Sequence, residues 1–266
     1  MQRTGGLRSI SDAIEIPFRV FANTDTAVGR LLQYGSESVA AFLRGGFDQF
    51  EGGLPTIEGL TDFADRFRRV SEVAERLDQL DAATVTRWLS EHPSAVGNIL
   101  EFNPADAANV ALVERLSQGG IRFTRENIVR LAEAPPEGIR AVTRTGQEVR
   151  VETPIFLEVG SNVRTAEGRN EGAGLVHILA GHASQFLDRG IPEEGIADAV
   201  MKALTQGRNI GVDGTRGGRY VYQVDLDGKN EYLSIVVGDN GFVVTAFPTD
   251  PVVYNRLLQQ LNDTSN

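Results

Sequence analysis

The feature that most constrains this chain's fold is a change of hydrophobic period near Ile139. Before it, apolar residues recur at spacings of three and four. After it they alternate, in IRAVTRTGQEVRV and again in RYVYQVDL, EYLSIVV and GFVVTAF. The first spacing lines one face of a helix and the second one face of a half-buried strand. A helical run followed by turn-linked strands with a few helices among them is an α+β pattern. The expected boundary is Pro135-Pro136, because two prolines forbid helix continuation and favour an extended linker. The reading is an all-helical module over 1–136 and an α+β domain over 139–266, each long enough to bury its own core.

In the first module SDAIEIPFRVFA, TDTAVGRLLQYG and SESVAAFLRGGF each open on a Ser, Thr or Asp cap candidate. Phe63, Phe67, Val70, Val73 and Leu77 form an apolar stripe that predicts a core-facing helix over 60–80. Helices are expected at 82–91, 93–102 and 104–118, the last with Asn103 as N-cap, Pro104 at its first position and Asp106 in its first turn. Thr124 is expected to cap a final helix, TRENIVRLAEA.

In the second module Thr145-Gly146 predicts the turn of a hairpin, and PIFLEVG a third strand or an extended entry. Residues 161–173 carry no periodicity and read as a loop. GAGLVHILAGHASQF and Pro192 to Thr205 read as helices, and Gly211 to Gly218 as a flexible loop. Asp227-Gly228 and Asp239-Asn240-Gly241 separate three strands of an antiparallel meander, so two helices packed on an antiparallel sheet are expected. PVVYNRLLQQLN is a terminal amphipathic helix or a docking tail.

Chemistry concentrates in the histidine-bearing helix, since two of the chain's three histidines, His177 and His182, lie there. The third, His92, precedes a proline and reads as a capping or surface residue. Positions five apart differ by about 140° in azimuth and lack the i, i+4 spacing of a helical zinc pair. With no cysteine there is no disulfide, thiolate metal site or thiol nucleophile, and neither a metal nor a cofactor is expected. The sequence holds no P-loop, no dinucleotide-binding glycine pattern opening a helix, and no G-x-S-x-G.

Charge narrows the reading further. The chain carries a formal −10; from Ile139 onward there are 12 Lys and Arg against 16 Asp and Glu, a net of −4. Phosphate binding usually leaves a basic footprint, so any phosphate site here must be small and built from a few arginines. No apolar run reaches the ~18 residues of a membrane span, and the N-terminus has no secretory pattern. A cytoplasmic protein without a membrane span is the expectation.

The helix and the last strand together resemble a phage- and toxin-associated branch of the BECR fold, the nuclease group named for barnase, EndoU, colicin tRNases and RelE. The matching residues are Gly174, Leu175, His177, Ile178, His182 and Phe186 on the helix, and Thr245, Phe247 and Pro248 on the strand. Gly181 departs from the pattern, which commonly has Arg or Lys there. A shorter similarity, in AIEIPFRVFANTD, is to linkers of phage-encoded polyvalent proteins.

The resemblance implies a metal-independent ribonuclease in the C-terminal half, with RNA, tRNA among the candidates, as substrate and a cognate inhibitor or immunity protein as partner. It implies His177 or His182 as general acid/base, Arg219 on the transition-state phosphate and Thr245 as a hydroxyl donor. Tyr222, Tyr232, Ser234 and Arg216 are the candidate substrate contacts, the tyrosines as stacking surfaces for unpaired bases. The competing reading is an inactive phage structural or interaction protein that keeps such a domain.

Overall fold

The computed structural model describes residues 106–143, 145–214 and 219–264, together with Val70, Asn98 and Phe102. The chain divides into two compact units, Met1–Leu100 and Glu101–Asn266. Val70 and Asn98 are helical and buried; the other helices expected before residue 102, and His92, lie outside the described residues, as does Arg216. Mixed α+β architecture holds for the second unit. Among the described residues no helix is long and apolar enough to cross a membrane.

The second unit opens with α1 (Ala107–Gln118), which begins three residues later than expected. Asp106 is the N-cap rather than a first-turn residue, its Oδ1 accepting from Ala108 N (2.9 Å) and Asn109 N (3.3 Å). An aspartate there meets two orphan N–H groups and the helix dipole together.

The helix expected after Thr124 does not form. A single 3₁₀ turn, Arg125–Asn127, leads into β1 (Ile128–Ala132), which pairs antiparallel with β4 (Ile155–Glu158). Ile128 and Val129 are both fully buried, so this strand is covered on both faces and shows no alternation. Tertiary pairing here outweighs a helical spacing that several good helix formers had suggested. Pro135-Pro136 accordingly falls inside the unit, in a turn closed by Gly138 N–H on Pro135 O at 2.7 Å, and not at its edge.

The hairpin of β2 (Ile139–Val142) and β3 (Glu148–Val151) forms where the alternation placed it, and PIFLEVG supplies β4. Residues 161–173 are a second hairpin, β5 (Ser161–Arg164) with β6 (Asn170–Ala173), and not the expected loop. Gly172 explains how it escapes the alternation rule. A Cβ there would stand 1.9 Å from the Ser161 carbonyl oxygen, so close backbone approach replaces side-chain packing.

Helix α2 (Leu175–Leu187) buries Leu175, Ile178, Leu179, Ala183 and Phe186 along one stripe. No side chain caps it. Instead Gly174 N donates to Val244 O (2.9 Å) and Val176 N to Val159 O (3.0 Å), so strand and loop carbonyls satisfy the first turn and tie it to the sheet. Helix α3 (Glu193–Gln206) carries Glu193 and Glu194 in its first turn and buries Ile196, Val200 and Leu204 at i, i+4, i+8. Each such side chain contributes about 1.5–3 kcal/mol by leaving water.

The main sheet runs β10 (Val243–Pro248), β9 (Lys229–Val237), β8 (Arg219–Leu226), β7 (Arg208–Asp213), all antiparallel neighbours. Strand β7 takes up the first part of the segment expected as a glycine loop. Helix α4 (Pro251–Thr264) ends the unit.

Register decides which side chains share a face. The pairs Val221↔Ser234, Gln223↔Tyr232 and Phe247↔Ser234 put Arg219, Val221, Tyr232, Ser234, Thr245 and Phe247 on one face. Tyr220, Tyr222, Leu233, Ile235 and Ala246 lie on the other, all nearly inaccessible. Helix α3 packs against β8 and β9. Helix α4 covers part of the first face, where Leu257 joins Ile210 and Val221 with Tyr232 and Tyr254 at the margin.

Candidate active site

The site lies on the first face, where α2 meets β10. The His182 ring packs at a tilt on Phe247 with centroids 4.9 Å apart and planes 33° apart, and the Arg219 guanidinium carbon stands 5.7 Å from the same Phe247 centroid. An arginine over a phenyl face is held by the ring's quadrupole. Phe247 is thus the platform on which the helix and the sheet present their polar groups. The neighbouring histidine completes the cluster, His177 and His182 meeting edge to face at 6.3 Å and 86°.

Azimuth alone had set the two histidines apart, and the structure brings them together. Both rings are half-buried.

Each imidazole is held through Nδ1 by an amide oxygen. His177 Nδ1 lies 3.2 Å from Asn162 Oδ1, and His182 Nδ1 lies 3.3 Å from Gln185 Oε1. With the amide oxygen facing the ring, Nδ1 is the donor of each contact, which assigns the proton to Nδ1 and the lone pair to Nε2. Neither Nε2 has a hydrogen-bond partner among the described residues. Burial holds the pKa of His177 below the ordinary histidine value of 6.5. For His182 burial again lowers it most, Gln185 opposes, and the charges of His177 and Arg219 lower it further. At neutral pH both are neutral imidazoles able to take a proton.

Of the other expected residues, Arg219 is exposed and joins the cluster. Thr245 stands on the same face two residues from Phe247, but its hydroxyl is covered and finds no hydrogen-bond partner among the described residues, so it does not present a donor to a ligand. Tyr232 stacks flat on Tyr254 of α4 at 4.0 Å and 11°, leaving that ring face occupied. Ser234 is fully buried, its hydroxyl 2.9 Å from that of Thr249.

Tyr222 is on the opposite face and 3% exposed. Burial pushes its phenol up to about 12, against the opposing Asn209 amide across the strand, and the hydroxyl lacks a partner of good geometry among the described residues. These three candidate contacts therefore pack the protein. Strand alternation puts Tyr220 with Tyr222 and Tyr232 with Ser234, but only register shows that the two pairs point to opposite sides.

Asn162 and Gln185 were not legible as site residues. Asn162 sits in a stretch without periodicity, and its partner is 15 residues away. Among the described residues no group of three or more His, Asp or Glu side chains is arranged to hold a metal ion. No protein-family model matches this sequence, and no curated protein matches it significantly.

Proposed function

We propose that the second unit is a metal-independent endoribonuclease that cleaves RNA by histidine acid/base chemistry, with tRNA among its candidate substrates. The observation that carries this reading is the cluster of two imidazoles with free Nε2 atoms and an exposed guanidinium around Phe247. In the reaction one neutral imidazole takes the 2′-hydroxyl proton through Nε2 as the 2′-oxygen attacks phosphorus. The bond from phosphorus to the 5′-oxygen breaks, and the other imidazole, protonated, gives its proton to that oxygen. Arg219 stabilises the charge gathering on the phosphoryl oxygens. The products are a 2′,3′-cyclic phosphate and a 5′-hydroxyl, and no co-reactant is consumed.

The resemblance in Gly174 to Phe186 and Thr245 to Pro248 supports the same chemistry and brings with it an inhibitor protein as partner and a bacterial cytoplasm, or a phage particle, as setting. The test is cleavage of total RNA and of tRNA in EDTA by the full chain beside His177→Ala and His182→Ala. Loss in the variants supports the proposal; a folded wild type that cleaves no RNA removes it. The second reading, a structural or interaction protein, is favoured by the net acidic charge and by the engaged or covered hydroxyls of Ser234 and Thr245.

A further inference from the structure

We propose that Asn162 is a positioning residue for His177, its side-chain oxygen holding the imidazole in the tautomer with Nδ1 protonated and the Nε2 lone pair free. The catalytic consequence rests on the ribonuclease reading above, whereas the tautomer does not. An imidazole in water favours a proton on Nε2, so the opposite tautomer needs a fixed acceptor at Nδ1. Asn162 Oδ1 supplies it at 3.2 Å.

The placement is built into the backbone. Asn162 lies on β5 opposite Gly172 of β6, the position where a Cβ would meet the Ser161 carbonyl. The hairpin can therefore lie closer to itself than side-chain-bearing residues permit. Just before it, Val159 O accepts from Val176 N, and just after it, Gly174 N donates to Val244 O. The hairpin's two ends are thus tethered to the first turn of α2 and to β10, and His177 follows Val176 directly.

Charge does not set this tautomer. His182 is the titratable group beside His177 on α2, with Arg219 beyond it on β8, and burial is what lowers the proton affinity of His177. A neutral amide selects the tautomer without adding the opposite charge that would raise that affinity. An aspartate at 162 would select the same tautomer and make the ring a stronger base, harder to deprotonate at neutral pH. The asparagine therefore leaves His177 both neutral and correctly protonated, which is what a general base needs.

Nitrogen-15 NMR of the imidazoles in the full chain, above their titration range, reads the tautomer directly. Wild type is expected to show His177 protonated at Nδ1. Asn162→Ala shifts the ring toward Nε2–H, whereas Asn162→Asp keeps Nδ1–H and raises the pKa. Against RNA, Asn162→Ala lowers kcat by about tenfold or more with KM little changed, and Asn162→Asp moves the pH profile to higher pH. A wild-type His177 protonated at Nε2 overturns the proposal whether or not any variant folds, and so does an unchanged tautomer in Asn162→Ala. If the tautomer responds as expected while no RNA is cleaved, the positioning role stands and the ribonuclease reading falls.

Discussion

Helix α4 is docked on the same sheet face that carries the site, and a double-mutant cycle tests that docking quantitatively. Gly211 of β7 has φ +142°, and a Cβ there would stand 2.8 Å from Leu257 Cδ2. Gly211→Ala therefore carries two costs, about 1–3 kcal/mol of backbone strain and about 1–3 kcal/mol of overpacking. Leu257 is the buried anchor of α4, at 5% exposure in the cluster with Ile210 and Val221. Leu257→Ala costs about 2–5 kcal/mol by the usual core scale, toward the lower end because a terminal helix can settle into the space.

In the double variant the new methyl enters the volume vacated by leucine, so the overpacking cost vanishes while the strain remains. The pair should then be less destabilised than the sum of the singles by about 1–3 kcal/mol. The assay is urea unfolding of the four proteins, followed by the near-ultraviolet circular dichroism of tyrosine. Four of the chain's five tyrosines, Tyr220, Tyr222, Tyr232 and Tyr254, are in this unit, two of them in the stack beside Leu257. Additivity within about 0.5 kcal/mol would show that Gly211 and Leu257 do not touch and would refute this docking.

Further outcomes follow from the site and its surroundings. Cleavage needs one imidazole neutral and one protonated, and both pKa values lie below 6.5, so kcat/KM against pH should be bell-shaped with its maximum on the acid side of 6.5; a plateau at pH 8 contradicts the assignment. Because both folded-state values are depressed, the unfolded chain binds more protons, and stability should fall as pH drops through 6.5 toward the folded values. Thermal melts from pH 7 to 5 should show this, and His177→Gln with His182→Gln should flatten the slope. Arg219→Lys keeps the charge but loses the planar fork, and should reduce kcat about tenfold or more while leaving the melting temperature within a few degrees; unchanged cleavage would remove Arg219 from the chemistry. Finally, Glu231 is 3% exposed and paired with Lys229, with Arg189 Nη1 at 3.9 Å. Lys229→Met leaves that carboxylate with its more distant partner and should cost about 1–2 kcal/mol, read as a lower melting temperature.

Local pattern was enough for much of the second unit. Alternation and turn residues located the β2–β3 hairpin and the β8–β9–β10 meander, and apolar spacing located α2 and α3, while the segment of α4 reads either as a helix or as a docking tail; β8 and β9 were found through their turns and β-forming residues although both of their faces are buried. The two histidines on α2 could be picked out from residue type and position, whereas Arg219 at the start of β8 and Thr245 with Phe247 on β10 were expected only through the family resemblance. Where burial was two-sided, as at Ile128 and Val129, or where glycine let backbones touch without side chains, as at Gly172, no period was written into the chain, and β1 and the β5–β6 hairpin were read as helix and loop. The convergence of the site was decided by tertiary structure. Sheet register put Arg219 and Phe247 on one face and Tyr222 on the other, two rings about 140° apart in azimuth meet edge to face on α2, and hairpin closure carried Asn162 to His177. Periodicity is local, set by each element's own geometry, whereas a site depends on pairings between elements, whose register and docking no single stretch of sequence encodes.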